Sequence, residues 1–546
     1  MARSANTKNF MQRQVGQIKD GGIRAIFLKL RKLARVLWMN ALAPLAVALQ
    51  VRWPAAYAFE GKRRLRKYHV ISARAAVDQA VLGRLLQEAV RCFQAVIERD
   101  PRLADLKDWS SASSALQGLY QIQGNISEWN AACRREAEVR CDLAKTRQWD
   151  ELGIEFIPKR LVMGSIGVYE HLEAHIKAKM LGLIPAKKLI LLLEPGAPVN
   201  NLIYLNYWRR YITVISDRSL LNRLAPLEDW LTIPLTSYIS LNGKMHKSFL
   251  ALGKIREQWL NEKRLPLLTL SDEDYERGWS YLKSVGLRQN DWFVCLHVRE
   301  SGWRGNDSVE EDYRNADIRT YYPAIKSITG AGGWVVRMGD RGMRPLPEMP
   351  KVIDYALSNE KSDRMDIFLS SQCRFFIGTS SGLYTFAMAF GVPVVMTNLL
   401  PTCAVYYFSS KDLFLPRLCR NGNEGRYLSF TELLSPPLAT AVVKSSFDQK
   451  DIEIMSNTEE ELKDVVEEML ERCEGRLEYG QSDDELQKGF QAAAKECGNL
   501  YDAENAVVHA RLGRNFLRKH AALLNSGEKV EAAAGGPLDE RKRYGS

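Results

Sequence analysis

Apolar positions divide the chain into a helical N-terminal part and a longer part in which strand and helix patterns alternate. From Ile71 to about Leu143, apolar residues recur every three or four positions, and Asp100-Pro101 ends the first of three helical windows. The other two windows lie near 109–122 and 126–143. The pattern predicts a helical region at 71–150, which either supports the next domain or serves as a protein-docking repeat.

After Trp149, short apolar runs typical of buried strands alternate with helical patterns. Strands that are apolar throughout and alternate with helices indicate parallel sheets covered on both faces. The runs are 160–163, 188–194 and 212–215 in a first α/β half at 151–285, and 292–299, 333–338, 352–355, 374–377 and 392–396 in a second half at 286–470. In such sheets, ligands bind at the carboxyl ends of the strands.

The last part of the chain has helical periodicity. Thr458 and Glu461 have the spacing of a capping box ahead of apolar residues at helical positions. A second helical run lies near 482–524, within a C-terminal helical segment at 471–526. Residues 527–546 are rich in Gly, Ala and charged residues, which is typical of a flexible tail.

The net charge of +11 belongs to the N-terminal arm. Residues 1–70 hold 15 Lys and Arg against two acidic residues, and the rest of the chain has a balance of −2, so nucleic acid is not an expected partner. The apolar stretch Val36–Val51 is at most about 16 residues long, contains Pro44 and has basic clusters on both sides. We expect the arm to lie on an anionic membrane surface, peripheral to the inner face of the cytoplasmic membrane. The alternative is a helix packed on the protein with a solvated basic face.

The nine cysteines indicate a reducing, cytoplasmic compartment. Their number is odd and no two are spaced as C-x-x-C. Neither a disulfide framework nor a zinc or redox site is therefore expected.

The strongest ligand-binding motif is Gly378-Thr379-Ser380-Ser381-Gly382, which follows a buried strand and is predicted to open a helix at 381–390. Glycines allow close approach of the backbone to a ligand, and the amides of a helix N-terminus attract an anion such as a diphosphate. A tight turn without a ligand favours the same residue types. The segment has neither the G-x-G-x-x-G spacing of a dinucleotide fold nor the Gly-Lys-Ser/Thr of a P-loop.

A second motif, His297-Val298-Arg299-Glu300, lies at the carboxyl end of another apolar strand. His297 and Arg299 are two positions apart, so their side chains point to the same face. The planar guanidinium of Arg299 suits phosphate recognition, whereas a lone His here is more often a satisfied core residue. A polar loop follows, with Arg314, Asn315 and Asp317 as candidate substrate contacts or as ordinary solvated residues.

The order of these motifs resembles the C-terminal halves of GT-B glycosyltransferases, over about residues 150–500. His297-Val298-Arg299 is similar to the H-x-R motif of fucosyltransferase-like enzymes, and residues 376–382 with 389–393 resemble the donor-site segment of bacterial heptosyltransferases. Two positions depart from these patterns. Ser380 stands where heptosyltransferases have Asp, and Glu300 stands where fucosyltransferases usually have a basic residue or glycine, which leaves the donor sugar open.

The resemblance implies an α/β fold with two Rossmann-like domains (GT-B) preceded by a helical N-terminal region. It implies an acceptor domain at 151–285 and a donor domain at 286–470, with a nucleotide diphosphate-sugar as co-substrate and no metal or other cofactor. The implied donor-binding residues are His297, Arg299, Gly339, Asp340, Gly378, Thr379, Ser380, Ser381 and Gly382, with Asp354 as a further candidate toward the nucleoside.

An inverting transfer needs a base that deprotonates the acceptor hydroxyl. Glu170 and His171 follow the turn after the first predicted strand and are the first candidates, with Glu194 and Glu300 as others. The first two are equally typical of exposed residues in the first turn of a helix.

The expected function is a glycosyltransferase that modifies a membrane-associated glycan or lipid-linked acceptor in bacterial surface-polysaccharide synthesis. Two rival functions stay open. A nucleotide-sugar epimerase of the same fold would need a base beside the donor sugar and no acceptor, and a non-catalytic membrane-associated scaffold would bind no nucleotide.

Overall fold

The computed structural model describes residues 43, 54–72, 79–98, 106–123, 125–234, 238–288, 290–300, 309–502 and 504–525. Their structure is mixed α/β, and the chain divides into two compact units, Met1–Val139 and Arg140–Ser546. The predicted apolar stretch Val36–Val51, apart from Ala43, and the tail at 527–546 lie outside the described residues. The described residues contain no helix that is long and apolar enough to cross a membrane.

The first helices follow the predicted apolar spacing. They are α1 (Pro54–Ser72), α2 (Gln79–Ile97), α3 (Leu106–Ile122) and α4 (Ile126–Thr146). Ala58 of α1, Phe93 of α2 and Leu116 of α3 belong to one buried cluster. The basic residues at 62–67 therefore lie on a helix that packs against α2, and three of them, Arg63, Arg66 and Lys67, are exposed.

The second unit begins with a three-stranded parallel sheet in the order β1-β2-β3. Its elements are β1 (Ile154–Phe156), α5 (Arg160–Met163), α6 (Tyr169–Met180), β2 (Lys188–Leu192), α7 (Leu202–Trp208), β3 (Ile212–Ile215) and α8 (Arg218–Leu231). An antiparallel hairpin, β4 (Tyr238–Leu241) and β5 (Lys244–Lys247), leads to α9 (Ser248–Asn261) and α10 (Asp272–Ser284).

The strand predicted at 160–163 is wrong, because these residues form helix α5. The first strand lies earlier, at β1, where Ile154 pairs with Lys188 of β2. Pro158 follows β1, and its carbonyl accepts the N–H of Leu161 in the turn that starts α5. An apolar run of four residues fits a strand and a buried helical turn equally well, so its periodicity does not distinguish them.

The rest of the second unit contains a seven-stranded sheet in the order β15-β11-β10-β9-β6-β7-β8, in which all neighbouring strands are parallel. The strands are β6 (Phe293–His297), β7 (Trp334–Arg337), β8 (Val352–Ile353), β9 (Phe376–Gly378), β10 (Val394–Leu399), β11 (Leu413–Pro416), β12 (Leu418–Asn421), β13 (Arg426–Tyr427), β14 (Ile452–Met455) and β15 (Arg511–Leu512), of which β12, β13 and β14 form a separate small sheet. The helices are α11 (Tyr322–Gly330), α12 (Asp363–Gln372), α13 (Tyr384–Ala389), α14 (Phe430–Leu434), α15 (Ser445–Asp448), α16 (Glu459–Cys473), α17 (Gln481–Asp502) and α18 (Arg514–Lys519).

Several sequence-based boundaries change in this part. The capping box of Thr458 and Glu461 at the start of α16 is confirmed, with both reciprocal hydrogen bonds present. The helical run predicted at 482–524 instead ends at Asp502, and β15 adds an edge strand to the large sheet before α18. The two residues of β15 lie inside the run that the sequence pattern assigned to a helix, so the pattern did not indicate a strand there.

Candidate functional site

The two strongest sequence motifs meet at the carboxyl ends of neighbouring strands. His297 at the end of β6 is in register with Gly378 at the end of β9. The N–H of Thr379 donates to the carbonyl of His297 over 3.2 Å, and the N–H of Arg299 donates to Oγ1 of Thr379 over 2.9 Å. Side chains that lie 80 positions apart in sequence are thus fixed beside each other at the sheet edge where open α/β sheets bind ligands.

The guanidinium of Arg299 is held by the loop that follows β6. Arg299 is buried, and its Nη1 donates to the carbonyl of Glu311 over 2.9 Å and to Oδ1 of Asn315 over 2.8 Å. Its Nη2 donates to the Glu311 carboxylate over 2.9 Å. An incoming phosphate would therefore have to compete with Glu311 for this arginine.

His297 is a neutral side chain at neutral pH. Burial lowers its pKa to about 3, and the positive charges of Arg337, Lys361 and Arg299 act in the same direction. The imidazole can take part in hydrogen bonding to a ligand, but it supplies no positive charge to a phosphate.

The glycine-rich segment uses two of its hydroxyls inside the protein. Thr379 is fully buried and accepts from Arg299, while Oγ of Ser380 accepts the N–H of Leu400, which follows β10, over 3.1 Å. Helix α13 begins only at Tyr384, so the prediction that Ser381 opens the helix is wrong. Gly382 packs on the first half of the unit, where a Cβ would lie 2.7 Å from the amide nitrogen of Gly167. This contact explains why residue 382 is a glycine.

Glu300 and Asp354 share one buried arginine at the ends of β6, β7 and β8. Arg337 is fully buried, donates to Glu300 over 2.9 Å and donates to Asp354 over 2.8 Å. Burial raises the pKa of Glu300, although the Arg337 charge opposes the shift. Glu300 is thus engaged in an ion pair, which makes it a weaker candidate for a catalytic base.

Gly339 and Asp340 form the turn after β7. Gly339 has a φ of 145°, and the sulfur of Met343 lies 2.2 Å from where a Cβ would be, so both conformation and packing favour glycine. Asp340 accepts the N–H of Gly342 over 2.8 Å. These contacts stabilise the turn, and the implied role toward a nucleoside stays a prediction.

The loop residues predicted to contact substrate are also hydrogen-bonded within the protein. Arg314 donates to the Glu311 carboxylate over 2.6 Å, and Nδ2 of Asn315 donates to Asp312 over 3.1 Å. Asp317 caps the helical turn that follows and pairs with Arg319. Arg314 and Asn315 lie beside Arg299, whereas Asp317 mainly stabilises the turn.

Glu170 and His171 are buried, so the alternative that they are exposed residues of a first helical turn is wrong. Both lie in the first turn of α6, and the hydroxyl of Tyr384 in α13 donates to the Glu170 carboxylate over 2.8 Å. His171 Nδ1 is 2.9 Å from Oγ of Ser248, at the start of α9. The two residues therefore lie at the contact between α6, α9 and α13.

Burial gives these two side chains opposite pKa shifts. It raises the pKa of Glu170 to about 7, although the Arg256 charge and the Tyr384 hydrogen bond oppose the shift. It lowers the pKa of His171 to about 3, with the charges of Arg256 and Arg160 acting in the same direction. Near neutral pH, Glu170 is the group that changes protonation state.

Sequence reasoning missed three residues that shape this region. Arg256 of α9 is buried and donates to the Glu173 carboxylate over 2.8 Å and to the carbonyl of Glu170 over 3.1 Å. Tyr384 binds Glu170, and Arg417 follows β11 at the same sheet edge as Arg299. A charged residue within an apolar helix pattern was the available signal for Arg256, and a basic residue directly after an apolar strand was the signal for Arg417.

The remaining predicted base, Glu194, is exposed on the turn after β2. No group of three or more His, Cys, Asp or Glu side chains suited to a metal ion lies among the described residues.

Comparison with known proteins gives matches among solved structures alone. No family model matches the chain, and no curated protein matches it. A glycosyl transferase family 9 protein from Veillonella parvula is 12% identical over 48% of this chain and 85% of its own, with a TM-score of 0.32. The E. coli ADP-heptose lipopolysaccharide heptosyltransferase II is 14% identical over 48% of this chain and 90% of its own, with a TM-score of 0.30.

A third matched structure is TibC, an iron-containing dodecameric glycosyltransferase from enterotoxigenic E. coli. It is 16% identical over 46% of this chain and 59% of its own, with a TM-score of 0.27. TibC is also described as a heptosyltransferase in complex with ADP-D-β-D-heptose. These three matched structures are described as glycosyltransferases, while the function of this chain is argued from its own residues.

Proposed function

We propose that the chain is a glycosyltransferase that moves a sugar from a nucleotide diphosphate-sugar to an acceptor hydroxyl. The observation that carries the proposal is the pairing of two kinds of groups in one unit. Cationic and hydroxyl side chains gather at the carboxyl ends of β6, β9 and β11, and a carboxyl group with a pKa of about 7 lies where α6 meets α13. Phosphate-binding groups and a general base are what such a transfer requires.

The donor is assigned to the large sheet, within the proposed donor domain at 286–470. Arg299 and the amides at 379–382 would bind the diphosphate, and Gly339-Asp340 would lie toward the nucleoside. Arginine supports departure of the nucleoside diphosphate because its guanidinium group neutralises the charge on the phosphate oxygens as the bond to the sugar breaks.

The acceptor is assigned to the first α/β half at 151–285. The Glu170 carboxylate would accept the proton of the acceptor hydroxyl, whose oxygen forms a bond to the anomeric carbon. The bond between that carbon and the diphosphate oxygen then breaks, and the nucleoside diphosphate leaves with the electron pair. His171 has too low a pKa to compete as a base, and Glu300 is paired with Arg337.

The basic arm supports a membrane-associated acceptor. Residues 1–70 carry a large excess of positive charge, which favours an anionic bilayer. We therefore assign a glycan or lipid-linked acceptor at the inner face of the cytoplasmic membrane, as in bacterial surface-polysaccharide synthesis.

Titration calorimetry of the full chain with GDP, UDP, ADP and CMP tests the donor assignment. The proposal expects one nucleoside diphosphate to bind best, and the matching nucleotide-sugar to be consumed when a membrane extract supplies the acceptor. Consumption of that nucleotide-sugar without any acceptor would favour an epimerase. Failure of every nucleotide to bind would favour a scaffold.

A further inference from the structure

Arg417 is a buried cation that the assigned donor contacts leave unexplained. It follows β11, is 4% exposed, and donates through Nη1 to Oγ of Ser456 over 3.1 Å and through Nη2 to the carbonyl of Asn315. Both acceptors are neutral, and its Nε–H has no acceptor among the described residues. Burial lowers the pKa of Arg417. A buried guanidinium without an anionic partner is strongly unfavourable, so an anion is the expected missing partner.

Arg417 belongs to a group of three arginines around the loop at 311–315. Asn315 connects two of them, because its carbonyl accepts from Arg417 and its side chain accepts from Arg299 over 2.8 Å. Arg314 is the third, and its Nε–H also has no acceptor among the described residues. The three guanidinium groups come from the ends of β6 and β11 and from the loop between β6 and α11.

In the part of the chain that the structure describes, the acidic groups that contact these three arginines do not balance their charge. One carboxylate oxygen of Glu311 accepts from Arg299 over 2.9 Å and from Arg314 over 2.6 Å. Asp312 is exposed and accepts from the Asn315 amide. Among the described residues, three cations therefore face two carboxylates. Glu311 is 44% exposed, so its side chain can turn into solvent without breaking the core.

We propose that Arg299, Arg314 and Arg417 form a binding site for a diphosphate group, in which Glu311 holds the place of one phosphate until the ligand displaces it. A carboxylate oxygen between two guanidinium groups has the contacts of a phosphate oxygen in the same position. The two Nε–H groups without acceptors supply donors for the larger anion. The inference rests on the proposed function in one respect: the diphosphate would be that of the nucleotide-sugar.

The test is calorimetric titration of the full chain with inorganic diphosphate, and in parallel with ADP, GDP and UDP. We expect Arg417→Met to weaken diphosphate binding at least tenfold and Glu311→Gln to strengthen it severalfold. Arg420→Met is the matched control, because Arg420 lies three residues further on, is 37% exposed and pairs with Glu453 on the surface. It should bind diphosphate as the wild type does.

Thermal unfolding separates a binding role of Arg417 from a structural one. Arg417→Met should keep the wild-type Tm without ligand and lose the rise in Tm that diphosphate causes. If Arg417→Met does not fold, the Glu311→Gln variant tests the inference instead. Removal of a carboxylate that competes with diphosphate should raise the affinity for diphosphate. Equal diphosphate affinity in wild type and Arg417→Met, no gain in Glu311→Gln, or no binding by the wild type would overturn the inference.

The inference and the proposed function can fail separately. Diphosphate binding that depends on Arg417, with no sugar transfer from any nucleotide-sugar, would leave the anion site standing and remove the glycosyltransferase. Sugar transfer that is unchanged in Arg417→Met would leave the glycosyltransferase standing and remove the anion site.

Discussion

At the scale of single residues, the protonation of Glu170 gives the sharpest prediction. Burial raises its pKa to about 7, so the carboxyl is mostly protonated below that pH and mostly ionised above it. A base must be ionised to accept a proton, and we expect kcat to rise with pH through about 7 and then level off. The pH profile of sugar transfer at saturating donor measures this.

Glu170→Gln tests the same residue by substitution. The amide keeps the shape and can still accept from Tyr384 but cannot take a proton, so activity should fall on the order of 10²–10⁴-fold and the rise near pH 7 should disappear. Glu276→Gln, an exposed change on α10, is the control and should keep both. A Glu170→Gln enzyme that retains the pH dependence of the wild type would show that another group is the base.

Arg299 gives a second prediction at this scale. Arg299→Ala removes the fork that binds phosphate, so nucleoside diphosphate binding should weaken by roughly 1.5–3 kcal/mol, the scale of hydrogen bonds to charged groups. Arg299→Lys should also be poor, because a point charge does not replace two parallel donors. Calorimetry with the nucleoside diphosphate and with the matching nucleoside distinguishes the phosphate-binding site from the nucleoside-binding site. The affinity for the nucleoside should not change in Arg299→Ala. Unchanged diphosphate affinity in Arg299→Ala would remove this residue from the donor site.

At the scale of elements, the capping box of α16 is a stability prediction. Oγ1 of Thr458 accepts the N–H of Glu461 over 3.3 Å, and the Glu461 carboxylate accepts the N–H of Thr458 over 2.9 Å. Thr458→Ala should lower the free energy of unfolding by about 1 kcal/mol, measured by denaturant titration. Thr329→Ala, in the last turn of α11, removes a hydroxyl that is not a cap and should cost clearly less. Equal losses would mean that the cap adds nothing at Thr458.

The sequence patterns predicted best those elements in which one apolar pattern continues over the whole element. The strands β2, β6 and β10 were placed within a few residues, because each combines an uninterrupted apolar run with turn-forming neighbours. Two short elements were missed, β15 with two residues and α5 with four, although the equally short β8 was predicted. A run of that length takes its conformation from tertiary contacts, which local periodicity does not contain.

At the scale of the whole molecule, the candidate site depends on contacts between distant segments. Tyr384 and Glu170 are 214 positions apart, and Arg417 and Asn315 are 102 apart. The sequence indicated Arg299 and the segment at 378–382, because strand ends and glycines are local signals. It contained no sign that Glu311 binds Arg299 or that Glu170 is buried, because both depend on which strands and helices become neighbours.

The distribution of charge along the chain gives the last prediction. Ten of the 15 basic residues at 1–70 precede residue 54, and Arg66 and Lys67 are exposed on α1. Each basic residue near an anionic bilayer contributes about 1 kcal/mol of attraction, and salt screens this attraction. The full chain should therefore sediment with vesicles that contain anionic lipid, less so in high salt, and hardly at all with neutral vesicles.

Deletion of residues 1–53 is the variant to compare, because it removes ten basic residues and leaves α1 in place to cover Phe93 of α2. We expect it to lose most vesicle binding while retaining nucleotide affinity and transfer to a soluble acceptor analogue. Substituting Arg66 and Lys67 with Gln in the full chain should weaken vesicle binding by a smaller amount. If the deleted form still sediments with anionic vesicles at high salt, the arm is not what attaches the protein. The attraction would then come from the body of the chain, whose net charge gives no reason for it.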